Sequence, residues 1–116
     1  MAAFTLRGPY RLTSDVVRTF VPQGVPGVFV LGPISPGRAN PVDAVGRADH
    51  DLVAALIDLV GSNSGFMFTA ASSVAEAFGM ECALFHEHLL AGRRPHPVAP
   101  SNTFLPCPVC GDQARS

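Results

Sequence analysis

Gly27-Val28-Phe29-Val30-Leu31-Gly32 is a continuous apolar run, β-branched and aromatic at its centre and bounded by glycine and proline. A strand with one face in water would alternate apolar and polar residues, so an unbroken run of this length predicts a strand buried on both faces. It is the expected central strand. Towards the C-terminus, the loop Pro33 to Pro41 reads as a hairpin connection and Val42 to Gly46 as a weaker second strand. From Asp49 the spacing becomes helical: Leu52, Val53, Leu56, Ile57, Leu59 and Val60 recur at three and four residues, with Gly61 expected just past the helix end. Phe66, Phe68 and Ala70 then alternate with Met67 and Thr69 as a third strand. Ser73-Val74-Ala75-Glu76 matches a capping box and opens the longest helix, expected over about Val74 to Leu90. Towards the N-terminus, an extended Phe4 to Leu6 precedes a short helix from Ser14, expected as its cap, to Phe20, ended by Val21-Pro22. The chain thus divides into a leader (1–25), a core (26–92) and a Pro-rich tail (93–116) that carries no periodic pattern.

A length of 116 residues allows one domain, and the composition, 47% hydrophobic and 15% charged, is far from that of a disordered chain. Eight Arg and no Lys face nine acidic residues for a net charge of −1, so the overall footprint of a nucleic-acid binder is missing and any such role must rest on a local patch. A mean hydropathy of +0.29 is high for a chain with so few charges, which suggests a surface covered by a protein partner or by a second copy in a homo-oligomer. No apolar run is long enough to span a bilayer, and Met1 to Arg7 lacks a signal-peptide core, so the reading is cytoplasmic with no membrane association.

Two features carry chemistry. On a helical wheel Glu81 falls inside the apolar arc, between Val74, Phe78, Phe85 and Leu89 on one side and Ala77 and Leu84 on the other. A carboxylate there needs an Arg partner, access to water, or a role as a divalent-metal or acid/base group. The second feature is Cys107-Pro108-Val109-Cys110-Gly111, half of a tetrahedral zinc site on a tight turn. Cys82 and His86, four apart on the long helix, are the expected other half, with His88 or His96 as alternatives to His86. Such a closed site is structural and would clip the tail to the helix. The competing readings are a redox pair at Cys107 and Cys110, or a core Cys82 beside a surface His86.

In the order of its elements the chain resembles the GIY-YIG nuclease superfamily, specifically short bacterial members with a Cys-x-x-Cys tail. Gly27 to Gly32 is similar to the first motif of that family, Ala44-Val45-Gly46-Arg47-Ala48-Asp49 to the second, and Glu76-Ala77-Phe78-Gly79-Met80-Glu81-Cys82 to the segment with its metal-binding Glu. The resemblance spans residues 25 to 111. It implies an α+β fold with a small three-stranded antiparallel sheet flanked by helices, and phosphodiester hydrolysis with Mg²⁺ or Mn²⁺ at Glu81. The family's two tyrosines are here Phe29 and Ala44, and the positions of its helix Arg, Ala54 and Ala55, are empty. Arg47 and His50 are the remaining candidates for phosphate contact and base.

Three functions follow as expectations: a catalytically degenerate binding or assembly module, a metal-dependent nuclease with substituted residues, and a small-molecule enzyme using Glu81 in an apolar cleft. The loss of both hydroxyls and the Arg favours the first.

Overall fold

The computed structural model describes residues 4–33, 42–88, 96–101, 103 and 105–110. Its elements run β1 (Arg7–Arg11), α1 (Ser14–Phe20), β2 (Gly27–Gly32), β3 (Ala44–Ala48), α2 (Leu52–Ile57), β4 (Gly65–Ala70) and α3 (Val74–Glu87). All six residues of β2 are buried, as an uninterrupted apolar run requires. Phe29 and Leu31 enter one core with Leu52 and Leu56 of α2, Val17 of α1 and the β4 aromatics Phe66 and Phe68. Val28 and Val30 enter a second core with Ala77 and Leu84 of α3. The sheet therefore has α1 and α2 on one face and α3 on the other.

The sheet has four antiparallel strands, not three, in the order β1-β4-β2-β3. The additional strand is β1, where an extended segment was expected slightly earlier. It lies at the sheet edge, where Pro9 need not donate to a ladder, and its register with β4 shifts between Arg7 and Tyr10. Tyr10 stacks on Phe20 of α1 with ring centroids 4.7 Å apart, so β1 and α1 pack as a unit on the α2 side.

Other boundaries differ for local reasons. Thr13, not Ser14, caps α1, accepting from the Val16 N–H. Asp51 caps α2, accepting from Val53 and also from Gly24 N–H at 3.1 Å, which ties the turn before β2 to this helix. α2 stops at Ile57 instead of reaching Val60. Leu59 and Val60 donate back only three residues, to Leu56 and Ile57, so the helix tightens into a turn although the apolar spacing continues. Gly61, at φ +97°, then carries the chain through a left-handed conformation. Ser73 caps α3 as expected, but Glu76 reaches back to the N–H and hydroxyl of Ser72, one residue before the cap. Positions 89 and 90 of the expected helix, and 34–41 of the expected hairpin loop, lie outside the described residues.

One glycine is demanded by packing. Gly46 faces Phe29 across the β2–β3 ladder, and a Cβ at position 46 would overlap the Phe29 ring. The ring lies over the strand and fills the α2-side core.

Candidate metal centre

His86 sits in the last turn of α3, His96 opens the described part of the tail, and Cys107 and Cys110 bracket its final turn. One ligand atom from each of these four residues lies within 4.8 Å of all the others. Cys107 Sγ is 3.5 Å from His86 Nε2, and Cys110 Sγ is 3.6 Å from His96 Nε2. With zinc bonds of about 2.3 Å to sulfur and 2.0–2.1 Å to nitrogen, the nitrogen–sulfur edge of a tetrahedron is about 3.5 Å. The four side chains can hold one metal ion.

The surroundings orient the donors. His96 Nδ1 lies 2.8 Å from the Pro97 carbonyl, which can only accept, so the ring proton is on Nδ1 and the Nε2 lone pair faces the cluster. Phe85, 4% exposed, packs edge-on against both imidazoles, with centroids 5.2 Å from His86 and 5.3 Å from His96. Burial opposes ionisation of the Cys107 thiol. The backbone N–H groups of Cys110 and Val109, the Cys82 thiol and His96 overcome it and bring Cys107 down to about 6. A thiolate at neutral pH is the form a metal requires.

Cys82, expected as a ligand, stands outside this group. It is fully buried among Phe78, Ala99 and Cys107. Burial pushes its thiol strongly up, and the neighbouring Cys107 raises it further. None of the three cysteines is in a disulfide. His88, the other alternative named for the site, has Nε2 3.8 Å from Glu87 Oε2.

Glu81 meets Arg47. Arg47 Nη1 donates to Glu81 Oε1 at 2.9 Å, and the two side chains are 12% and 13% exposed. The same guanidinium donates through Nε to Asp49 Oδ1 at 2.6 Å and through Nη1 to the Val98 carbonyl at 2.7 Å, and lies 5.5 Å from the Phe78 ring centroid. Burial pushes the Glu81 carboxyl up to about 7. Arg47 pulls the other way, but its charge is shared with Asp49, whose own carboxylate works against a second negative charge, and His96 adds a smaller lowering influence.

The remaining sequence candidates are scattered. Phe29 and Ala44 belong to the α2-side core, on the opposite face of the sheet from Glu81. Ala54 is exposed on α2, and His50 is exposed in the bend before it and outside the metal-binding group. Asp49 and the Val98 carbonyl, which complete the Arg47 network, carry no sequence signal of that role. Asp49 read as a helix-start residue, and a backbone carbonyl has no signature at all. Compared with protein-family models, curated proteins and solved structures, the chain gives no significant match to any.

Proposed function

We propose that this chain is a non-catalytic, GIY-YIG-like domain whose tail is clipped to α3 by one structural zinc ion, and that it acts as a binding or assembly module for a protein partner or a second copy. The observation that carries the non-catalytic reading is the Arg47 guanidinium on Glu81. A carboxylate that holds a catalytic Mg²⁺ or Mn²⁺ must present oxygens to the metal and leave positions for water and substrate. Here a cation already binds it, locked by Asp49 and by the tail. The residues that take the place of the family's tyrosines support the same view, since Phe29 and Ala44 face away from Glu81 and have no hydroxyl.

Zinc is favoured by two cysteine sulfurs and two imidazoles gathered within 4.8 Å, with two nitrogen–sulfur distances near the edge of a zinc tetrahedron. Four protein ligands leave no open position, which is the arrangement of a structural ion. A protein surface is favoured over nucleic acid as the partner because the chain has no Lys and a net charge of −1. No helix among the described residues is long and apolar enough to cross a membrane.

Zinc-loaded protein is expected to leave supercoiled and linear DNA uncut in the presence of Mg²⁺ or Mn²⁺, measured over hours at stoichiometric protein. Metal-dependent nicking that is lost in Glu81→Gln, with the zinc retained, would replace this reading by that of a nuclease with substituted residues.

A further inference from the structure

Residues 96–101 cross the face on which Arg47, Glu81 and Asp49 meet. The Val98 carbonyl accepts from Arg47 at 2.7 Å, Ala99 is 4% exposed against Phe78 and Cys82, and Pro97 and Pro100 are buried. This stretch belongs to no helix or strand, and its prolines have no N–H to donate. Its apolar anchorage among the described residues is the cluster of Ala99, Cys107 and Leu105 on Phe78 and Cys82, with Pro97 and Pro100 buried beside it. Two polar attachments among the described residues add to it. One is the four-donor cluster, where His96 at one end of the stretch and Cys107 and Cys110 at the other converge on His86. The second is Arg47.

We infer that residues 96–101 and 105–110 form a metal-dependent strap: an ion bound by His86, His96, Cys107 and Cys110 holds the strap over α3, and its loss uncovers Arg47, Glu81, Asp49 and Phe78. The inference rests on the zinc reading above and adds that occupancy controls which surface the domain presents. Without an ion, what joins the two imidazoles and two sulfurs among the described residues is weaker: sulfur–imidazole contacts at 3.5 and 3.6 Å and the edge of the Phe85 ring. The apolar anchorage that remains among the described residues is Ala99, Leu105 and Cys107 with the buried Pro97 and Pro100. The rest of the domain does not depend on the strap, because both main cores are built from the sheet, the helices and residues before 89. Linkage runs both ways: if the ion holds the strap, a contact that holds the strap raises affinity for the ion. Arg47, which grips Val98 two residues from the ligand His96, is that contact.

Cys82 reports the state of the strap, since it is 0% exposed beneath Ala99 and Cys107. Zinc-loaded and chelator-treated protein are treated with a thiol-alkylating reagent and the label at Cys82 is read by mass spectrometry, alongside amide exchange in β2 and β4. Chelation is expected to speed labelling of Cys82 at least tenfold while β2 and β4 keep their protection. A Cys82 rate indifferent to chelation overturns the strap, and so does simultaneous loss of protection in β2 and β4, which would mean that the ion holds the whole fold. Arg47→Met is expected to weaken zinc binding at least tenfold in competition with a chromophoric chelator, and an unchanged affinity overturns the coupling. A chain that takes up no zinc at all fails at the earlier step, the zinc reading itself.

Discussion

Cys107→Ser is expected to lower zinc affinity at least a hundredfold, about 2.7 kcal/mol, and to free the tail from α3. Cys107 is the most heavily supported of the four donors. Its sulfur lies 3.5 Å from His86 Nε2 and accepts from the Val109 N–H at 3.4 Å, and the side chain packs against Cys82. Serine keeps the size but offers an alcohol that does not ionise near neutral pH, so one of two anionic ligands is lost. Cys82→Ser supplies the contrast, because Cys82 stands outside the four donors, and it is expected to change affinity by less than tenfold. Chelator competition on the two variants measures both. Equal losses would place Cys82 among the ligands.

Arg47→Met is expected to destabilise the fold by about 2–3 kcal/mol in denaturant titrations at pH 7.5. The substitution leaves Glu81 buried without its cation and takes the donor from Val98, and the slight exposure of both side chains holds the effect below that of a fully buried pair. Arg47→Lys restores little, since one ammonium cannot reproduce a planar fork that reaches Asp49, Glu81 and Val98 together. A loss under about 0.5 kcal/mol would show that the network is ornamental. Glu81→Gln behaves differently. The folded value of about 7 stands above the ordinary 4.5, so the folded chain holds the proton more tightly than the unfolded one. That contribution is complete below pH 4.5 and is lost as pH rises to about 7. The stability difference between the two proteins therefore moves in favour of Glu81→Gln across this window and is level above it. Parallel curves from pH 4.5 to 7 would contradict the cause assigned to Glu81.

The parts of the fold that the chain announces locally are those built on a single strong pattern. The apolar run of β2, the alternation of β4 and the Ser73 cap of α3 each use one physical signal, and the structure places these elements where the pattern does. β1 was hidden because Gly8-Pro9 interrupts both alternation and ladder donation, and only pairing with β4 makes it a strand. The apolar spacing overstates α2 because Leu59 and Val60 keep a helical spacing after the chain has turned, and Val60 ends 41% exposed. In the metal centre, Cys107 and Cys110 are legible as a short turn motif, whereas the other ligands depend on how the tail returns. Cys82 and His86 share a helix face, but the short Cys82 side chain is covered by Ala99 and Cys107, while His86 at the helix end reaches the cluster. His96 lies between Pro95 and Pro97 in an aperiodic segment, so no local periodicity gives its direction. The oddity of Glu81 was visible on the helix wheel. Its partner lies 34 residues away on β3, a contact made only when the sheet and α3 pack together.

Zinc-edge X-ray absorption on protein purified without added metal decides whether zinc clips the tail to α3. About one zinc per chain is expected, bound by two nitrogens at about 2.0–2.1 Å and two sulfurs at about 2.3 Å, with the same two sulfurs in Cys82→Ser. Three sulfurs, falling to two in that variant, or a folded chain that carries no zinc, would contradict it.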